Sequence, residues 1–201
     1  MNTDKMSTFL SALAQITAFM RKGLVNVIIS AFSYALLFYF NSWITSELVF
    51  GLGVNWIYLP AGLRLFLTLI FGLPGALGIA LASTLISYSG ELSSDLTICI
   101  GTGLISGFAP YLARIFVFNN VKLGADLSNM NLQKLLLCIL IYALMSASLH
   151  QYWYATVGLE NTGSLNHFAV MAIGDVLGSI LLITLIKASL DLIKRSRRID
   201  R

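Results

Sequence analysis

The sequence predicts an all-α protein, a polytopic membrane bundle of about six transmembrane helices. Of its 201 residues, 57% are hydrophobic and only 11% are charged, and the mean hydropathy is +0.82. Soluble domains carry about 25% charged residues, so this composition excludes an ordinary soluble fold. The apolar residues are also grouped into runs, and a run of about 20 residues is long enough to cross a bilayer.

Six apolar runs define the predicted spans. They cover residues 24–43, 54–73, 74–89, 96–118, 135–153 and 167–192. Residues 1–23 are predicted to form a cytoplasmic amphipathic segment, because Phe9, Leu13, Ile16 and Met20 recur at helical spacing. The domain division is therefore an N-terminal segment, a six-span domain over residues 24–192, and a basic cytoplasmic tail over residues 193–201.

Proline and small residues mark where the predicted spans bend and pack. Pro60 removes a backbone donor near the start of the second span, which predicts a kink or a broken first turn. A very short turn before the third span predicts a tight antiparallel hairpin. Glycines let neighbouring backbones approach closely. The expected packing positions are Pro60, Gly62, Gly75, Gly78, Gly174 and Gly178.

The distribution of basic residues predicts the orientation. Cytoplasmic segments of membrane proteins are enriched in lysine and arginine. With six spans and a cytoplasmic N-terminus, the inner segments hold the basic tail and Lys5, Arg21, Lys22, Lys122 and Lys134. The outer loops then hold acidic residues and no basic ones. We expect a multi-pass protein of a bacterial inner (cell) membrane with both termini in the cytoplasm.

Two charged residues lie inside predicted spans. Arg64 is about ten residues into the second span and Asp175 is about eight residues into the sixth. Both spans run from the outer face of the membrane to the cytoplasmic face. At about 1.5 Å per residue, the two side chains therefore lie at a similar depth below the outer face. An intramembrane charge is costly and normally has a partner, which predicts an Arg64–Asp175 ion pair. The pair is either a site for a ligand or a proton, or a structural contact that fixes helix register.

Four other residues are placed nearer the outer surface by the same topology: Asn55, Trp56, His150 and His167. They are candidates for a polar vestibule above the pair, although the histidines also suit an interfacial belt. The two histidines lack further ligands at metal-binding spacing, and Cys99 and Cys138 lie in apolar runs typical of packing residues. No metal and no cofactor are expected.

The sequence contains no pattern that predicts catalysis. No histidine–carboxylate set is placed to activate a serine or threonine, and the glycines do not form a phosphate-binding loop. Basic residues flank apolar spans instead of forming a nucleic-acid surface. We therefore expect a protein that is not an enzyme, whose partners are the lipid bilayer and a separate signalling or transporter protein.

Two stretches resemble the membrane-associated sensor domains of the first type (the MASE family). That family has an aromatic–Pro–x–Ala–Gly–aliphatic motif at the start of an early span, and Tyr58-Leu59-Pro60-Ala61-Gly62-Leu63 is similar, with Leu59 in place of the first proline. It also has a Gly-Asp-x-Leu-Gly motif in its last span, which Gly174-Asp175-Val176-Leu177-Gly178 matches. The resemblance implies signal perception at the membrane by a free-standing, shortened version that acts through a separate partner.

Three functional hypotheses follow. The first is a non-enzymatic sensor-like module that perceives a small ligand or a proton near Arg64 and Asp175. The second is the substrate-binding component of an energy-coupling-factor type vitamin transporter, since Ala31 and Ala35 have the spacing of the docking face in such components. The third is a structural assembly factor of a membrane complex.

Overall fold

The computed structural model describes residues 3–90, 92, 95–121 and 129–199. This part of the chain forms six α-helices, so the predicted all-α class is confirmed. A short 3-10 helix, Ser46–Leu48, and two antiparallel strands, β1 (Val49–Gly51) and β2 (Val54–Asn55), follow the first helix. The helices are α1 (Thr3–Ile44), α2 (Leu59–Phe71), α3 (Leu73–Ser89), α4 (Leu96–Asn120), α5 (Leu132–Thr156) and α6 (Leu165–Ile199).

Four of these helices, α1, α4, α5 and α6, are long and apolar enough to cross a membrane. Their large apolar side chains are widely exposed, including Phe32, Leu36 and Leu104, as expected where lipid surrounds a bundle. The other two are shorter: 13 residues in α2 and 17 in α3 give lengths of about 20 and 25 Å. A hydrocarbon core is about 30 Å thick, so the structure supports four spanning helices and does not confirm the count of six.

The prediction that the second span begins at residue 54 is wrong. Val54 and Asn55 form β2, and α2 begins only at Leu59. Pro60 therefore lies in the first turn of α2, where its missing N–H would have had no partner in the helix. Of the two predicted effects of Pro60, a kink or a broken first turn, the structure has the proline at the start of a helix that begins later than the predicted span.

Two helices are longer than predicted. Helix α1 continues from Thr3 to Ile44 without a break, so the predicted N-terminal segment and the first span are one helix. Helix α6 continues to Ile199 and includes most of the predicted basic tail. The position of either segment relative to a membrane surface stays a prediction.

Three connections meet at one end of the bundle, which we call the strand end. Gly53, at φ +68°, makes the turn between β1 and β2, and it lies beside Leu92 and the Tyr154 hydroxyl. Gly51 of β1 lies beside the imidazole of His167. The β-hairpin, the α3–α4 connection and the α5–α6 connection are therefore neighbours.

The opposite end contains the turn between α2 and α3. Gly72 alone joins the two helices, with φ +61°, and its N–H donates to the Thr68 carbonyl at 2.9 Å. The predicted tight hairpin is present. The Arg114 guanidinium packs over Gly72 and lies 4.4 Å from the centre of the Phe118 ring, so Arg114 covers the turn.

Helix α2 packs parallel to α6, and glycines bring the two backbones together. Gly174 packs against the Asn55 carbonyl, Gly178 against the Tyr58 carbonyl, and Gly62 against the Ser179 backbone. Residue numbers rise together along both helices, which is the parallel arrangement that the sequence predicts. Gly78 of α3 packs against the Val27 carbonyl of α1, and Gly75 of α3 packs against the Leu67 carbonyl of α2.

Candidate functional site

The first turn of α2 is fixed by hydrogen bonds from both neighbouring helices. The Leu59 N–H donates to the Asn41 side-chain oxygen of α1 at 2.9 Å, and the Tyr58 N–H donates to the Gly174 carbonyl of α6 at 3.1 Å. The first N–H groups of a helix have no partner within it. Because α1 and α6 supply those partners, they set the position of every side chain in the first turns of α2, including Arg64.

Arg64 and Asp175 lie together in the interior of the bundle. An Arg64 Nη atom is 3.8 Å from Asp175 Oδ1, and the two residues are 2% and 1% exposed. This distance makes an ion pair but exceeds the length of a hydrogen bond. Arg64 Nε has no hydrogen-bond partner among the described residues.

Two tyrosine rings cover the guanidinium. The Arg64 guanidinium carbon is 5.0 Å from the centre of the Tyr58 ring and 5.9 Å from that of Tyr34, both within the range of cation–π attraction. The two tyrosine hydroxyls are 3.1 Å apart and share a hydrogen bond. Arg64 is therefore held between aromatic faces from α1 and the start of α2, with Asp175 as its counter-ion.

Helix α5 presents a polar stripe to this interior. Tyr142, Ser146 and His150 follow at four-residue spacing and are all buried. The Ser146 hydroxyl lies within hydrogen-bonding reach of both the Asp175 carboxylate and the Tyr142 hydroxyl, and Tyr142 is an electrostatic neighbour of Arg64.

His150 belongs to a second polar group, shared by α3, α4 and α5. Its Nδ1 is 2.8 Å from the Ser146 carbonyl and its Nε2 is 3.2 Å from the Ser106 hydroxyl. The carbonyl only accepts, so Nδ1 carries the proton and a neutral Nε2 accepts from Ser106. Ser106 in turn accepts from the Ser83 hydroxyl at 2.9 Å. These three side chains link α3, α4 and α5 in one oriented chain of hydrogen bonds.

The four predicted vestibule residues do not form one group. His150 is only 2% exposed and lies within the bundle. Trp56, which is 42% exposed, and His167 are at the strand end. Both rings contact the Phe50 ring edge-on, with ring centres 5.8 Å apart for Trp56 and 5.2 Å apart for His167. Asn55 connects this cluster with the pair, because its carbonyl packs against Gly174, the neighbour of Asp175.

The chemistry available at the pair is limited to charge and hydrogen bonding. Within the described ranges, no group of three or more His, Cys, Asp or Glu side chains could hold a metal ion. The guanidinium and the carboxylate balance in charge, and the surrounding hydroxyls can both donate and accept. Such an arrangement can hold a proton or a small polar molecule, or it can fix α2 against α6.

Sequence reasoning missed Tyr34, Tyr58, Tyr142, Ser146 and Ser106 as members of the two polar groups. The tyrosines resemble ordinary interfacial or core aromatics in a membrane sequence. The stripe of Tyr142, Ser146 and His150 did carry a signal, since residues four apart share one helix face.

Comparisons with known proteins add no assignment: no protein-family model, no curated protein and no solved structure matches this chain.

Proposed function

We propose that the protein is a non-enzymatic, sensor-like membrane module that responds at the buried Arg64–Asp175 pair. A small ligand or a change of protonation there alters the attraction between α2 and α6. The two helices then change their relative position, and α6 transmits the change to its basic C-terminal turns, which act on a separate signalling protein.

The observation that carries the proposal is the continuity of α6. The same unbroken helix contains Asp175 and extends to Ile199, so the pair and the basic segment belong to one rigid element. Asp175 and Lys194 are about 29 Å apart along the helix axis at about 1.5 Å per residue. A shift at the pair therefore moves the far end of α6 without any intervening joint.

We also propose that both termini are cytoplasmic, in a bacterial inner membrane, with α2 and α3 as a pair of short spans. The turn at Gly72 lies beside Arg114, which is about 27 Å along α4 from its first residue. The α2–α3 hairpin begins and ends at the strand end. Its two helices therefore leave the orientation of the four longer ones unchanged, whether or not the hairpin crosses completely.

Cysteine labelling tests this orientation. Single cysteines at the exposed positions Glu160 and Lys194 are introduced into a variant with Cys99→Ala and Cys138→Ala. We expect a membrane-impermeant maleimide to label Glu160→Cys on intact cells and Lys194→Cys only after permeabilisation. The opposite pattern would reverse the orientation, and equal labelling of both sites on intact cells would mean that α6 does not span.

Spin labels test the coupling between the pair and the end of α6. Labels replace Lys22 and Lys194, which are exposed on α1 and α6 away from the strand end. Asp175→Asn removes the carboxylate charge with almost no change of size. We expect it to shift the measured distance between the labels by roughly 1–2 Å or more, the scale of helix shifts in known switches.

Asp191→Asn is the matched control, because it makes the same chemical change at an exposed position of the same helix. It should leave the distance distribution of the parent protein unchanged. If Asp175→Asn gives the parent distribution as well, the pair does not control α6 and the sensor proposal fails. That outcome would favour the assembly-factor hypothesis.

The transporter hypothesis gains no specific support. Its docking face would require Ala31 and Ala35 to be free on α1. Both alanines instead pack within the chain against a buried cluster that includes Tyr34, Leu67 and Ile79.

A further inference from the structure

Arg114 of α4 has no counter-ion in the described part of the chain. Its Nε is a buried atom without a hydrogen-bond partner, and no carboxylate of the described residues forms an ion pair with its guanidinium. The group is nevertheless held in place, because it packs over Gly72 and its carbon lies 4.4 Å from the centre of the Phe118 ring. A guanidinium that is already positioned loses little freedom on binding, so Arg114 is suited to an anionic ligand with hydrogen-bond acceptors.

The guanidinium lies about one membrane thickness from the strand end. Arg114 is about 27 Å along α4 from Leu96 at about 1.5 Å per residue, and a hydrocarbon core is about 30 Å thick. Helix α4 is long and apolar enough to span. Arg114 is therefore placed at the level of the lipid phosphates in the leaflet opposite the strand end.

Helix α1 adds cations at the same level. Gly78 of α3 packs against the Val27 carbonyl of α1, and both helices end at the strand end, so they are parallel. Five residues before each of these positions are Leu73, the first residue of α3, and Lys22. Lys22 and Arg21, which are both exposed, therefore lie level with the turn between α2 and α3.

Helix α6 adds another cation there. Gly62 of the parallel helix α2 packs against the Ser179 backbone. Eight residues beyond each of these positions are Ile70, in the last turn of α2, and the exposed Lys187. The Asp191 carboxylate lies about 6 Å farther along α6, so it offsets Lys187 only in part and this level of the described bundle stays positive.

Exposed apolar side chains lie next to Arg114. Leu73 begins α3 at the turn, and Leu112, Ile115 and Phe116 are near Arg114 on α4. Each of these four side chains is between 39% and 48% exposed. A ligand at the guanidinium therefore has an apolar surface beside its charged group, which fits a phospholipid better than a soluble phosphate compound.

We propose that Arg114 binds the phosphate of an anionic phospholipid, whose acyl chains lie along the exposed faces of α3 and α4. A guanidinium can form two parallel hydrogen bonds with a phosphate. Lys22 and Lys187 repel the ammonium group of a zwitterionic lipid, so the site should prefer a headgroup with net negative charge. The inference goes beyond the proposed function, since it uses neither the Arg64–Asp175 pair nor transmission by α6.

Native mass spectrometry of the full-length protein tests the site. The protein is solubilised with equal amounts of phosphatidylglycerol and phosphatidylcholine that carry the same acyl chains. We expect the parent protein to retain phosphatidylglycerol preferentially, and Arg114→Gln to lower that preference at least about fivefold, the contribution of one cation near an anionic lipid surface. An unchanged preference in Arg114→Gln would overturn the inference.

Arg21→Gln is the matched control. It makes the same chemical change at an exposed position of α1 on the same level. Exposed charges contribute little to single contacts, so its effect should stay below about twofold. Equal losses in Arg21→Gln and Arg114→Gln would indicate a diffuse attraction of anionic lipid and contradict a site at Arg114.

Thermal unfolding in lipid nanodiscs separates binding from a general loss of stability. The readout is the rise in the thermal midpoint when phosphatidylglycerol replaces phosphatidylcholine, measured within each variant. Arg114→Lys keeps the charge but loses the planar fork of donors. The rise should be largest in the parent protein, smaller in Arg114→Lys and smallest in Arg114→Gln, and equal rises in all three would refute the site.

Glycerol phosphate distinguishes a lipid from a soluble phosphate compound, because it has the phosphate without the acyl chains. An excess of it should not displace bound phosphatidylglycerol from the parent protein. Displacement would identify a soluble phosphate compound as the ligand and rule out the lipid.

Discussion

Asp175→Ala should lower the free energy of unfolding by about 3–5 kcal/mol, because it leaves Arg64 as a buried charge without a counter-ion. Arg64→Ala should cost about as much for the same reason. The double variant should lose clearly less than the sum, since removing both charges leaves neither one uncompensated. Thermal or chemical unfolding of the four proteins in one detergent measures all three differences.

Asp191→Ala is the matched control for this cycle. Asp191 is an exposed carboxylate on α6, and surface substitutions away from special features usually change stability by less than about 0.5 kcal/mol. Strict additivity of Arg64→Ala and Asp175→Ala would show that the two side chains do not interact, whatever their separation in the structure.

Gly178→Ala should destabilise the protein by about 1–3 kcal/mol, the usual cost of overpacking. A methyl group at this position would overlap the Tyr58 carbonyl oxygen and carbon, which belong to the backbone at the start of α2. A backbone cannot give way as a flexible side chain can, so α2 and α6 must separate. The measurement is the unfolding free energy, and the same separation should weaken the coupling between Arg64 and Asp175.

Gly23→Ala is the control for this substitution. Gly23 is also within a helix, but a methyl group there would meet nothing within 4 Å. Alanine has the higher helix propensity by about 1 kcal/mol, so Gly23→Ala should be neutral or stabilising. If both alanines stabilise the protein equally, the close contact at Gly178 is not present in solution.

The placement of Arg64 beside Asp175 was predictable because charges are rare in these apolar runs. The predicted spans put both residues at one depth, and few other partners were available. The start of α2 was not predictable from hydropathy. Val54, Trp56 and Ile57 extend the apolar run of the helix that follows, and a short apolar segment fits a strand as well as a helix.

The position of His150 shows a different limit. The aromatic residues that follow it, Tyr152, Trp153 and Tyr154, favour an interfacial belt, yet His150 is buried among α3, α4 and α5. The aromatic residues predict the environment of the helix end as a whole. The burial of one residue there depends on which face of the helix packs against neighbouring helices. Only the four-residue spacing with Ser146 and Tyr142 distinguishes this face in the sequence.

The order of the paired residues along the chain has a consequence for biosynthesis. Arg64 is translated 111 residues before Asp175, which is about 5–20 s at ordinary elongation rates of about 5–20 residues per second. During that interval Asp175 is absent, but Tyr34 and Tyr58 have already been made. Cation–π contacts with the two tyrosine rings can therefore stabilise the Arg64 guanidinium until the last helix is synthesised.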